Sequence, residues 1–206
     1  YSSTTSPMET IAKSDITALI LAGGQAKRMN RQDKGLILFR NKPLISYVVN
    51  IISKNVDSIL VSANRNIDLY QEFGEVITDD LPDFQGPLAG ISTALNKVKT
   101  KYLLIMPCDG PYVSELLLDR LVKAMEKKDT LMCVAAENEY LHPTFALINV
   151  SVAPVLSQYL DDGGRKLGKF FKDNRATEVD FSDQPKIFIN LNSPEDFLST
   201  KHIHSK

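Results

Sequence analysis

Short apolar runs alternating with longer amphipathic stretches constrain this 206-residue chain more than any other feature. Residues 16–21 form a continuous apolar run closed by Gly23 and Gly24, as expected of a strand buried on both faces. Residues 58–61, 75–77 and 102–106 read the same way, and further strands are expected at 131–135, 145–149, 177–181 and 187–191. Between them, Leu44, Ile45, Val48, Val49, Ile51 and Ile52 fall at helical spacing behind Pro43, which suits a first helical turn. Helices are likewise expected at 88–97, at 152–160, 165–173 and 194–198, and after Ser114, an N-cap for Leu117, Leu118, Leu121, Val122 and Met125. Strands that alternate with helices build βαβ units and a mostly parallel sheet covered on both faces. Residues 15–200 carry this pattern without an internal linker, so one domain is expected, with a flexible polar leader at 1–14 and a tail at 201–206.

Composition narrows the class. Twenty-four basic and 25 acidic side chains leave a formal charge of −1, without the basic excess that coating a nucleic acid requires. At 43% hydrophobic residues the chain can bury a core, and no apolar run approaches the roughly 20 residues that span a bilayer. Cys108 and Cys133 form neither a zinc-site spacing nor a disulfide framework. Residues 1–7, ahead of Met8, lack the basic segment and apolar core of a secretory signal. These observations favour a cytoplasmic protein with no nucleic-acid or membrane partner.

In parallel sheets ligands bind beyond the carboxyl ends of the strands. The loops at 22–34, 62–66, 79–90 and 107–111 all follow expected strands, and the first carries most chemistry. Gly23 and Gly24 let backbone N–H groups approach a ligand closely, and Lys27, Arg28, Arg31 and Lys34 supply cations for a polyphosphate. The dinucleotide pattern GxGxxG and the P-loop pattern GxxxxGK[ST] are both absent. From these residues alone, a polyphosphate cradle and a solvated basic loop are equally good readings.

The whole string decides between them. Leu21-Ala-Gly-Gly, then Arg28-Met29, then Asp33-Lys34, resembles the pyrophosphorylase signature of the nucleotide-diphospho-sugar transferase (GT-A) superfamily. Asn41-Lys-Pro-Leu44, Ala63-Asn-Arg65, Gly86-Pro-Leu-Ala-Gly90, Pro107-Cys-Asp109, His142-Pro-Thr144 and Asn192-Ser-Pro-Glu195 narrow the resemblance to the molybdenum cofactor guanylyltransferase (MobA-type) family. Asn30 stands where that family usually has Gly, and Ser62 where it often has Asn. The resemblance implies a single-domain, Rossmann-like three-layer α/β/α sandwich with a mostly parallel central sheet. It also implies Mg²⁺-dependent transfer of GMP from GTP to the terminal phosphate of molybdopterin, or of its molybdenum-bearing form, with release of pyrophosphate. Mn²⁺ is the alternative ion, and proteins that deliver the pterin or receive the product are expected partners.

Carried over residue by residue, the resemblance assigns Leu21, Ala22, Gly23, Gly24, Lys34, Ser62, Asp79 and Asp109 to the nucleotide. Lys34, Arg28 and Asp109 are the catalytic candidates, and Asp109 is the metal ligand. A carboxylate such as Asp79 can accept paired hydrogen bonds from guanine, although Asp80 and Asp83 are close in sequence. On the acceptor side His142, Arg165, Asn190 and Asn192 are candidates, with structural duties as the plain alternative for each. Two rival functions remain: a cytidylyltransferase or sugar-1-phosphate nucleotidyltransferase with the same loop, and an idle nucleotide-binding regulatory subunit. The second would be expected to lose Lys34 or Asp109, and both are present.

Overall fold

A computed structural model describes residues 10–23, 25–26, 32–79 and 86–191. The seven strands of its main sheet are β1 (Ile16–Leu21), β2 (Ser58–Ser62), β3 (Glu75–Ile77), β4 (Tyr102–Pro107), β5 (Met132–Glu137), β6 (Tyr140–Asn149) and β7 (Thr177–Asp180). Their spatial order is β7-β5-β6-β4-β1-β2-β3, and only β6 runs against its neighbours. The helices are α1 (Leu44–Ile52), α2 (Ile67–Tyr70), α3 (Pro87–Lys97), α4 (Glu115–Lys127), α5 (Ala153–Asp161) and α6 (Leu167–Asp173).

Alternation along β1 explains the three layers. Ala18 and Ile20 pack on one face with Ile45, Val48 and Ile52 of α1 and Leu117, Leu121 and Met125 of α4. Leu19 faces the other way, toward Leu88, Ile91 and Ala94 of α3, Leu156 of α5 and Phe170 and Phe171 of α6. Both faces of the central strands are therefore dry, which is why they read as unbroken apolar runs rather than as alternation. Among the described residues, no helix is long and apolar enough to cross a membrane.

Most expected elements form within a residue or two of their predicted bounds, but three local readings change. The apolar run at 187–191 is not a strand: Pro185 opens a 3-10 turn, Pro185–Phe188. Its Ile187 and Phe188 pack into the core, and Leu191 N–H then donates to the carbonyl of Asp109 at 3.1 Å. These residues are apolar because they roof the loop after β4, not because they join the sheet. The second change is β6, which begins at Tyr140 and so takes in His142-Pro143-Thr144. Its pairing with β5 shifts register between His142 and Ala146, and that bulge accommodates a proline without a ladder N–H. The third is α2, a four-residue helix that periodicity is too short to announce, entered through Asn66 at φ 53°. The helix expected at 194–198 lies outside the described residues.

Candidate active site

β1, β2, β3 and β4 are consecutive in the sheet, so the loops leaving their carboxyl ends share one edge. The chain proceeds from β1 outward to β2 and β3, then returns to place β4 on the other side of β1. That reversal is a topological switch point, where adjacent loops diverge and leave a crevice. Leu21 pairs with Pro107 across it, and Cys108 N–H donates to the Leu21 carbonyl at 3.2 Å. On the other flank Ala22 N–H donates to Ser62 O at 2.9 Å. At Gly23 a Cβ would meet no described residue within 4 Å.

Lys34 and Asp109, distant in sequence, meet at this edge. Lys34 opens a 3-10 turn (Lys34–Leu36), and its Nζ lies 4.0 Å from Asp109 Oδ2. Asp109 is 5% exposed, and burial raises its carboxyl above the ordinary 3.8, with Lys34 pulling less strongly in the opposite direction. Asn190 Oδ1 lies 3.6 Å from where a Cβ on Gly110, one residue on, would sit; it is buried and accepts no hydrogen bond from any described residue. A buried carboxylate and a buried amide oxygen that accepts from no described residue are hard-oxygen donors of the kind Mg²⁺ takes. No group of three or more His, Cys, Asp or Glu capable of holding a metal occurs among the described residues.

The remaining candidates separate clearly. Asp79 follows β3 and pairs reciprocally with Asn64: Asn64 Nδ2 donates to Asp79 Oδ2 at 3.2 Å, and Asp79 N–H donates to Asn64 Oδ1 at 3.3 Å. Ser62 is buried against α3, where a Cβ on Gly90 would lie 2.3 Å from its Oγ and 3.0 Å from its Cβ. This explains one glycine of the Gly86–Gly90 segment as a packing requirement. Gly90→Ala is expected to lose about 1–3 kcal/mol in urea denaturation. Adding Ser62→Ala should restore only part of that, because the Cβ remains; wild-type stability in Gly90→Ala would contradict the packing.

His142 stacks on Phe188, ring centroids 3.8 Å apart and planes 3° apart, and its Nε2 lies 3.2 Å from Glu137 Oε1. Arg165 donates to the carbonyls of Leu160 at 3.1 Å and Gly164 at 2.7 Å, which caps the end of α5. Burial, followed by the charge of Asp109, pushes the Cys108 thiol well above its usual range, so it is a filler and not a nucleophile. Gly24, Arg28 and Asn192 lie outside the described residues. Sequence reasoning missed a network next to Lys34: buried Asp33 is held by Arg65 and Asn66. Both partners stand in or beside the Ala63-Asn-Arg65 motif, the only signal from which the network was legible.

The model of the MobA-like NTP transferase domain matches residues 18–178. The chain belongs to that family, and it is a nucleotidyltransferase. It is 43% identical over 178 residues to a molybdenum cofactor guanylyltransferase of Vibrio atlanticus, covering 86% of this chain and 91% of the relative. A protein of the same name from Haemophilus influenzae is 41% identical over 186 residues, covering 90% of this chain and 97% of the relative. Among solved structures, the molybdopterin-guanine dinucleotide biosynthesis protein A of Archaeoglobus fulgidus superposes with a TM-score of 0.75 at 23% identity, covering 92% of this chain and 98% of that one. A 4-diphosphocytidyl-2C-methyl-D-erythritol synthase of Anaerococcus prevotii superposes with a TM-score of 0.70 at 14% identity, covering 94% and 100%. The two superpositions show that the fold is shared.

Proposed function

We propose that this chain transfers GMP from GTP to the terminal phosphate of molybdopterin or its molybdenum-bearing form, releasing pyrophosphate. The observation that carries this reading is the approach of Lys34 to Asp109 at the switch point, in a chain about 40% identical to named molybdenum cofactor guanylyltransferases. An acceptor phosphate oxygen attacks the α-phosphorus in line with the leaving pyrophosphate, so no protein nucleophile is needed. The work left to the chain is orientation and charge neutralisation.

In this reading the backbone of Leu21, Ala22, Gly23 and Gly24 cradles the triphosphate. Lys34 and Arg28 neutralise charge as it builds on the transferring and leaving oxygens. Asp109 and Asn190 would hold Mg²⁺, or Mn²⁺ in its place, and that ion would supply Lewis-acid polarisation of the phosphoryl oxygens. Ser62 lies under the nucleotide at the end of β2. On the acceptor side His142, Asn190 and Asn192 flank the phosphate, and Arg165 acts indirectly by holding the end of α5. The setting is cytoplasmic, with pterin-delivering and cofactor-receiving proteins as partners for a labile substrate and product.

Asp79, held by Asn64, accepts the N1–H and 2-amino group of guanine in this scheme. Asp79→Ala should therefore lower the preference for GTP over ATP by roughly 10–100-fold, the loss expected for hydrogen bonds to a charged group. Comparing kcat/KM for the two nucleotides checks this, and an unchanged ratio would remove Asp79 from the base site. The activity itself is tested by single-turnover assays with molybdopterin, Mg²⁺ and each nucleoside triphosphate. GMP incorporation with pyrophosphate release supports the reading; faster turnover of CTP or UTP overturns it.

A further inference from the structure

The residue before Lys34 is tied down more tightly than a loop requires. Asp33 is 5% exposed, and its Oδ1 accepts from Arg65 Nε at 3.1 Å and from Arg65 Nη2 at 2.7 Å. Its Oδ2 accepts from Asn66 Nδ2 at 2.7 Å. Asn66 reaches it from the left-handed region, at φ 53°, which Asn tolerates better than most side chains. On the other side of Lys34, Gly35 lies against Tyr70 of α2, where a Cβ would come within 3.1 Å of the ring and 3.2 Å of Cys108 Cβ. Arg65, Asn66 and Tyr70 all belong to the segment that follows β2. One segment therefore clamps both sequence neighbours of Lys34.

We propose that Arg65 is a positioning residue for Lys34, acting through Asp33. This rests on the reading of Lys34 as the cation that meets the triphosphate. A lysine has four flexible side-chain bonds, so the protein controls its ammonium mainly by fixing where the side chain begins. The pairing also consumes the charge of Asp33. Without Arg65, a buried carboxylate one residue away would compete with the nucleotide for the ammonium of Lys34. With both its oxygens committed to Arg65 and Asn66, Asp33 is not available to a metal, which leaves that task to Asp109.

The test is a double-mutant cycle on GMP transfer, with kcat and KM for GTP measured in wild type, Arg65→Ala, Lys34→Ala and the double variant. Arg65→Ala should lose about 100-fold, the scale of a misplacement near 1 Å, in the same kinetic parameter that Lys34→Ala lowers. The double variant should be no slower than Lys34→Ala alone, because a residue that acts only through Lys34 has nothing left to act on. Losses that multiply, or Arg65→Ala within twofold of wild type, would overturn the proposal. If Arg65→Ala does not fold, Arg65→Lys, which keeps the charge but not the planar fork, enters the same cycle with the same criteria. Wild-type turnover by Lys34→Ala would instead remove the phosphate role of Lys34, and this inference with it.

Discussion

Asp109→Asn is expected to lower kcat by at least about 1,000-fold, equivalent to roughly 4 kcal/mol of transition-state stabilisation, while the ligand-free protein melts at a higher temperature. The two effects have one cause. Burial raises the carboxyl of Asp109, so the folded chain holds this proton more readily than the unfolded chain does. The stability contributed by the protonated group is present at low pH and is lost as pH rises through the raised folded value. At neutral pH the bare carboxylate therefore costs stability, a cost that the proposed metal role would explain. Asn is close to isosteric and uncharged, and should relieve that cost. The relief should appear as a higher Tm, each kcal/mol corresponding to about 2–4 °C in a domain of this size. Mg²⁺ with GTP should raise the Tm of the wild type and not that of the variant. Thermal melts with and without Mg²⁺ and GTP, beside single-turnover rates, check both halves. A variant that turns over normally, or that melts lower than wild type without ligand, contradicts the assignment.

The same shift has a kinetic signature. Activity of the wild type should fall on the acid side at a pH above the ordinary carboxylate range, because protonated Asp109 cannot serve a cation. Raising Mg²⁺ should move that limb to lower pH, as metal and proton compete for one oxygen pair.

Lys34→Ala carries the second largest expected loss, about 100–1,000-fold in kcat/KM, the scale of removing one charge-stabilising donor from a transition state. Lys34→Arg should recover only part of it. Arginine keeps the charge but presents a broad, rigid fork in a crevice where Nζ stands 4.0 Å from Asp109. The loss should fall mainly on kcat if Lys34 meets charge that develops in the transition state, and mainly on KM if it only holds ground-state GTP. Steady-state kinetics at saturating acceptor separate these outcomes, and near-normal kcat/KM in Lys34→Ala would exclude the residue from the site.

Much of the fold was legible because its physics is local. The apolar runs at 16–21 and 102–106, short and bounded by Gly or Pro, read as strands buried on both faces, and both lie in the centre of the sheet. Helical spacing behind Pro43 and Ser114 located α1 and α4. Legibility failed where an apolar residue served something other than its own element. Ile187, Phe188 and Leu191 looked like a strand, yet they roof the loop that carries Asp109, and no periodicity distinguishes those duties. In β6, Pro143 hid the first half of the strand, because a bulge that tolerates proline depends on the partner strand.

The site divides in the same way. The sequence by itself determined which residue types gather in the loops: glycines and cations after the first strand, an Asp after the fourth, and the Asp33-Lys34 and Ala63-Asn-Arg65 motifs. Covalent neighbourhood and motif spacing suffice for that. Only the tertiary structure decided which carboxylate is available and which is already used. Asp33 and Asp109 are equally buried, but Arg65 and Asn66 hold both oxygens of the first, whereas the second faces Lys34 at 4.0 Å. A charge near −1 for the whole chain cannot distinguish them. The difference lies in hydrogen-bond partners brought from distant strands, and those partners exist only once the sheet has put β1, β2 and β4 side by side.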